Sequence, residues 1–119
     1  MGNKVTCQQR DGASTFCAIA ITSSGDRIPG KANGDTCWYS YGGFEHLTKN
    51  FVNVTGEVVE HECLKGRASG HQADSGDYWN AIANGPHGKI AGKARGDTCW
   101  YPYGGVEHIT KNFQWVHSV

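Results

Sequence analysis

Arg27 to Val54 reads RIPGKANGDTCWYSYGGFEHLTKNFVNV, and Lys89 to Val116 reads KIAGKARGDTCWYPYGGVEHITKNFQWV. The offset is 62 throughout, and 20 of the 28 positions are identical. Self-similarity at a fixed period is the signature of a duplicated unit. The upstream halves align more loosely: Phe16-Cys17-Ala18-Ile19-Ala20 lies opposite Tyr78-Trp79-Asn80-Ala81-Ile82. Cys7 meets Cys63 only if the second copy carries an insertion around residues 66–76. The stretch from Val52 to Cys63 has no linker composition. We therefore expect one domain over residues 1–119, built of two repeats (about 1–56 and 57–119) with pseudo-twofold symmetry.

The residue types around this core motif are those of strands. Val, Ile, Thr, Phe, Tyr and Trp supply 35 of 119 residues, whereas Leu and Met supply three. Such side chains fit a pleated, half-buried surface. Gly at 17 residues is about twice its usual frequency, and Gly clusters separate short strands. Leu, Ile, Val and Phe reach only 20 residues, but a disordered chain would also carry a large net charge and few aromatics. The expected fold class is all-β, with antiparallel sheets formed from two intertwined repeats. Strands are predicted near residues 5–8, 16–22, 36–41 and 50–59, then 57–64, 78–84, 98–103 and 112–119. A Ser-Ser-Gly-Asp turn precedes Ile28-Pro29-Gly30-Lys31, and Gly42-Gly43 and Gly104-Gly105 supply the positive φ of tight turns.

Charge and composition exclude several classes. Eleven Lys and Arg balance eleven Asp and Glu, so no basic excess points to nucleic acid. No apolar run is long enough to span a bilayer, and membrane insertion is not expected. The opening Met1-Gly2-Asn3-Lys4-Val5-Thr6 lacks the apolar core of a signal peptide and reads as a polar lead into the first strand, although it fits the permissive myristoylation pattern. The expected location is cytoplasmic, or outside the cell without a classical signal peptide. Asn53-Val54-Thr55 fits a glycosylation sequon and is read as strand sequence. Of the five cysteines, Cys7, Cys17, Cys37, Cys63 and Cys99, no two have C-x-x-C spacing. Reduced thiols buried as small hydrophobes are expected, with an interchain bridge through the odd one as the alternative.

Positions retained in both copies divide into structural and chemical ones. Trp38, Tyr39, Trp100 and Tyr101 alternate across a strand, one ring inward and one outward in each copy; the tryptophans are assigned to the core for the area they must bury. Cys37 and Cys99 are assigned there too. Among polar identities, Lys31 and Lys93 each follow a Gly, and Asp35/Asp97, Glu45/Glu107 and His46/His108 recur. A carboxylate with an ammonium can clamp vicinal hydroxyls, one accepting and the other donating. For any single pair a surface salt bridge explains as much; duplication of the set favours a ligand. A Cys37–His46 nucleophilic dyad would need a low-pKa thiolate in a cleft, and no ligand spacing for zinc surrounds His46 or His108. No metal or cofactor is expected, nor a catalytic residue.

Pro29-Gly30-Lys31, Tyr41-Gly42-Gly43-Phe44-Glu45-His46 and Asn50-Phe51 resemble the DM9 repeat. The second copy matches through Gly92-Lys93, Tyr103-Gly104-Gly105-Val106-Glu107-His108 and Asn112-Phe113, with Ala91 in place of Pro29. The resemblance covers nearly the whole chain. Tandem DM9 proteins of this size include mannose-specific lectins of bivalve molluscs. The resemblance implies two intertwined repeats, a sugar site in each, a homodimer, and recognition or agglutination of microbial surfaces. In those lectins an early Asp and the Lys of the Gly-Lys step hold mannose. They carry over to Asp11 with Lys31 and to Asp74 with Lys93, Asp77 being the alternative to Asp74. Tyr41, Glu45, His46, Tyr103, Glu107 and His108 are further candidates for the pocket. A glycoside hydrolase working through Asp and Glu and a non-sugar interaction module are the competing readings.

Overall fold

The computed structural model describes residues 3–118. Gly2 of the acylation pattern and Val119 of the last predicted strand fall outside the described residues. The chain runs β1 (Asn3–Lys4), β2 (Thr6–Gln8), β3 (Ser14–Ile21), β4 (Arg27–Asn33), β5 (Thr36–Tyr41), β6 (Phe44–Thr48), β7 (Phe51–Asn53) and β8 (Thr55–Val59). A single 3-10 turn (Glu62–Leu64) follows, then β9 (Gly70–Gln72), β10 (Gly76–Gly85), β11 (Gly88–Arg95), β12 (Thr98–Tyr103), β13 (Val106–Thr110) and β14 (Phe113–Ser118). The expected all-β class is observed: an antiparallel β-barrel with extra strands, ordered β1-β8-β14-β10-β11-β12-β13-β6-β5-β4-β3-β2.

The duplication is visible in the pairing. β3–β4–β5–β6 of the first copy matches β10–β11–β12–β13 of the second, and the halves meet where Val106 pairs with Phe44. Each copy also lends a strand to the other. β9 pairs with β10 and reaches across to β4, Arg27 opposite His71, while Gln9, just past β2, bridges to Gly88 at the start of β11.

Strand register corrects the looser half of the repeat alignment. Ala18 faces Gly30 in the first copy, and Ala81 faces Gly92 in the second. Phe16-Cys17-Ala18-Ile19-Ala20 therefore matches Trp79-Asn80-Ala81-Ile82-Ala83, at an offset of 63 and not 62. The β3–β4 hairpin absorbs the difference, with three residues, Ser23 to Gly25, where β10–β11 has Pro86 and His87. The same offset places Cys7 opposite Gly70. Cys63 instead lies exposed in the 3-10 turn, so its match to Cys7 is overturned, and of the predicted strand at 57–64 only residues 57–59 are strand, as the end of β8. The predicted strand 50–59 breaks at buried Val54 into β7 and β8, with Asn53 closing one and Thr55 opening the other.

Several strands were not legible as strands, among them β4 and its counterpart β11, β6 and β13, and β9. β4 carries Ile28-Pro29-Gly30-Lys31, for which no strand was expected, yet Ile28 to Ala32 are all buried between neighbouring strands. At Gly30 a Cβ would run into the carbonyl oxygen of Trp38, and at Gly92 into that of Trp100. These glycines are needed for close approach of backbones, not for a turn. β6 and β13 carry Glu-His in place of an apolar alternation because much of their surface is open. The Gly42-Gly43 and Gly104-Gly105 turns have the expected positive φ, between 61° and 89°.

Three apolar clusters fill the interior. Ala18, Ala20, Ala32 and Cys37 serve the first copy; Ala81, Ala83, Ile90, Ala94, Cys99, Tyr101 and Trp115 serve the second. Val5, Cys7, Cys17, Ile19, Val54, Ile82, Ala91 and Val116 form a cluster to which both copies contribute. Four cysteines are buried as expected, but Cys63 is exposed. The assignment of Trp38 and Trp100 to the core is also overturned. Register pairs them with Lys31 and Lys93, which puts the indoles on the lysine side, while Cys37 and Cys99 point inward with Tyr39 and Tyr101.

Two outcomes follow. Gly92→Ala forces the β11 backbone away from β12 and should lower the unfolding free energy in urea by about 3 kcal/mol, the range of severe overpacking. A thiol reagent under native conditions should label Cys63 rapidly and the other four only on unfolding; rapid labelling of a second thiol would contradict the packing.

Candidate functional site

Each Gly-Lys step delivers a lysine into a cleft. Lys31 and Lys93 are 5% and 3% exposed, rare for an ammonium, and both are held by a glutamine. Lys31 Nζ donates to Gln9 Oε1 at 2.7 Å, and Gln9 Nε2 faces both Asp11 carboxylate oxygens at 3.3 Å. Lys93 Nζ donates to Gln72 Oε1 at 2.5 Å, and Gln72 Nε2 donates to Asp74 Oδ1 at 3.2 Å. The ammonium and carboxylate are thus linked through an amide, not paired directly. This Lys–Gln–Asp relay occurs in both copies. It decides between the two candidate aspartates: Asp74 belongs to the cleft, whereas Asp77 bonds His71 at 2.7 Å on another surface.

Each cleft borrows an aromatic wall from the other copy. The Tyr103 ring lies 5.3 Å from Lys31 Nζ, and the Tyr41 ring lies 5.7 Å from Lys93 Nζ. The Tyr41 hydroxyl donates to Asp74 Oδ2 at 2.7 Å. Lys93 also donates to the backbone oxygen of Ser40, from the first copy, at 2.9 Å.

Glu45 and Glu107 explain how these tyrosines arrive. Gly105 N donates to Glu45 Oε1 at 3.0 Å, and Gly43 N donates to Glu107 Oε1 at 3.1 Å, so each glutamate holds the opposite copy's Tyr-Gly-Gly turn. Their other oxygens face Lys31 at 3.9 Å and Lys93 at 3.6 Å. His46 and His108 lie outside the clefts, donating from Nε2 to the backbone oxygens of Tyr41 and Tyr103. Asp35 and Asp97 pair with Lys49 and Lys111 at 3.1 Å on the exposed surface, which accounts for their recurrence. Cys37 is not poised as a nucleophile, since burial pushes its thiol up to about 12.

Each cleft sets one ammonium against an aspartate and a glutamate carboxylate. Burial pulls both lysines below their ordinary value, opposed by Glu45 and Glu107 respectively. A backbone bond from Ala13, then Gln9, holds the Asp11 carboxyl below its ordinary range; the Tyr41 hydroxyl, then Ser75 and Gln72, do so for Asp74. The clefts are similar but not identical. The second has about 460 Å³ and is walled by Tyr78 and Trp100, the rings 5.7 Å apart at 85°. The first has about 180 Å³ beside Trp38, with Thr15 in place of Tyr78. The buried Thr15 hydroxyl has no hydrogen-bond partner among the described residues.

No known family model matches the chain, and no curated protein does either. Among solved structures, the nematode sperm cell motility protein MFP2B is similar at a TM-score of 0.70 and 16% identity. The likeness is one of fold. It covers 98% of this chain but 41% of that one, so the barrel described here spans less than half the neighbour's length.

Gln9 and Gln72 were not singled out from the sequence. Their signal was a Gln-x-Asp pair recurring at an offset of 63, hidden while the copies were aligned at 62. Because Glu107 opposes the desolvation of Lys93, Glu107→Gln should move the Lys93 titration to lower pH. Lysine-selective NMR reads this directly, and an unchanged midpoint would show that the pair contributes nothing.

Proposed function

We propose that the chain is a non-enzymatic carbohydrate-binding protein with two quasi-equivalent sites, recognising mannose or mannose-terminated glycans. The observation that carries this reading is the same Lys–Gln–Asp relay at the mouth of both clefts, backed by aromatic rings. An ammonium donor and a carboxylate acceptor, spaced by an amide that does both, match the alternating needs of neighbouring ring hydroxyls. Aromatic faces beside a few fixed polar groups give the mixed lining expected of a small-ligand site. The choice of mannose comes from the DM9 resemblance. So does the expected partner, a second copy of the chain, which would present four sites and raise avidity on a branched glycan. Recognition or agglutination of glycan-bearing surfaces is the role such multivalency serves. The glutamates favour binding over hydrolysis: each is committed to a backbone N–H and faces a lysine, whereas a hydrolase needs a carboxyl able to cycle its proton.

Isothermal titration with mannose should give two sites per chain, one after either Lys31→Ala or Lys93→Ala, and none after both. Unchanged binding in the double variant sinks the clamp. Binding should persist from neutral pH through the mildly acidic range. It should fail only below the ordinary carboxylate value of 3.8, because Asp11 and Asp74 accept as carboxylates and are both held below that value. Loss of binding near the ordinary histidine value, about 6.5, would point to another group.

A further inference from the structure

Outside the two clefts, the copies share an aromatic frame on the opposite face of β5–β6 and β12–β13. Tyr39 stacks on His46 at 5.4 Å and 22°, and Tyr101 stacks on His108 at 5.2 Å and 18°. Tyr41 meets His46 at 6.3 Å and 63°, and Tyr103 meets His108 at 6.2 Å and 59°. The frames are nearly superimposable. What differs is their content.

In the second copy the short β10–β11 hairpin drives His87 into the frame. Its imidazole stacks on Tyr103 at 4.2 Å and 26°, tilts against His108 at 4.8 Å, and meets the Tyr101 hydroxyl through Nδ1 at 3.3 Å. In the first copy the longer Ser23-Ser24-Gly25 loop supplies no ring. A pit of about 210 Å³ remains, lined by Tyr39, Tyr41 and His46, with Thr22, Ser24 and Asp26 at its edge. The Tyr39 hydroxyl, counterpart of Tyr101's, has no hydrogen bond to a protein group among the described residues, whereas the Tyr101 hydroxyl has His87.

We propose that this pit is a binding site for a small flat nitrogen heterocycle of imidazole type, which takes the place His87 occupies in the second copy. The ring lies against Tyr41 and His46, and its unprotonated nitrogen accepts from the Tyr39 hydroxyl. Asp26 stands where the second copy has Gly88, so the first pit carries a carboxylate that favours a ring bearing an N–H on its other side. Offset stacking on two aromatic faces adds to the burial of the ring. The site is independent of the sugar reading and shares only Tyr41 with the second cleft.

The test is titration of the full chain with imidazole above its pKa, followed by aromatic NMR. The Tyr39, Tyr41 and His46 ring signals should shift to saturation at one equivalent site, while Tyr101, Tyr103 and His108 stay put. His87→Ala should open the second frame and bring the count to two. Replacing Ser23-Ser24-Gly25 with the Pro-His sequence of the other copy should weaken binding at the first pit at least tenfold, and Tyr39→Phe should weaken it by a smaller factor. Absence of shifts at the first-copy rings overturns the proposal. So does failure of His87→Ala to add a site, or saturation of the same rings by mannose but not by imidazole.

Discussion

The reciprocal grip of Glu45 on the Gly104-Gly105 turn and of Glu107 on the Gly42-Gly43 turn is the contact on which both clefts depend. The backbones there are also joined, Glu45 N to Gly105 O and Glu107 N to Gly43 O, each at 3.0 Å. The turns need positive φ to reverse the chain within two residues, and that reversal projects Tyr41 and Tyr103 across the pseudo-twofold. Without the crossing, each lysine would face a cleft with one wall missing. A single repeat therefore lacks not only sufficient core but also half of its own site. The cluster that mixes Ile19 with Ile82 and Val54 with Val116 says the same of the packing.

Burying two ammonium groups is costly, and the local structure shows how the cost is limited. Lys31 and Lys93 lie next to Gly30 and Gly92, where β4 and β11 press against the carbonyls of the following strand. That closeness draws the lysine stems inward and brings Nζ within reach of Gln9 or Gln72. An amide acceptor backed by a carboxylate stabilises each ammonium without a tight ion pair. Glu45 and Glu107, at 3.9 and 3.6 Å, supply compensating charge from beneath. Each cleft thus sets one lysine against an aspartate and a glutamate, one carboxylate in excess, so the overall neutrality is reached elsewhere on the chain.

How much of this was legible follows from the kind of constraint each residue answers. The duplicated 28-residue motif announced the pseudo-symmetry, and its Gly-Gly pairs announced the turns, because both are local requirements. Thr36–Tyr41 and Thr98–Tyr103 emerged at their exact bounds for the same reason. β4 was not legible at Pro29-Gly30, since a glycine there answers the close approach of two backbones, which only the pairing reveals. The tryptophans misled because large area suggested burial, while strand register with a lysine decided their side. Gln9 and Gln72 escaped because the one-residue difference between hairpins shifted every upstream residue out of phase. Lys31, Lys93, Asp11 and Asp74 were legible as candidates, but the Lys–Gln–Asp order of contacts was not.

That one-residue difference has consequences beyond alignment. It shortens the β10–β11 hairpin until His87 reaches the aromatic frame, and it leaves the matching frame of the first copy open. The second copy has Tyr78 where the first has Thr15, and its cleft is the larger of the two, so the plugged frame and the roomier cleft sit in one repeat. Tyr41 lies against both the open pit and the roomy cleft, whereas Tyr103 lies against the filled frame and the small one. The two copies are unequal because one hairpin is a residue shorter and a few wall residues differ. The near-identity of the 28-residue motif then reflects the shared grip at the twofold, which neither copy can alter alone without displacing the tyrosine that serves its neighbour.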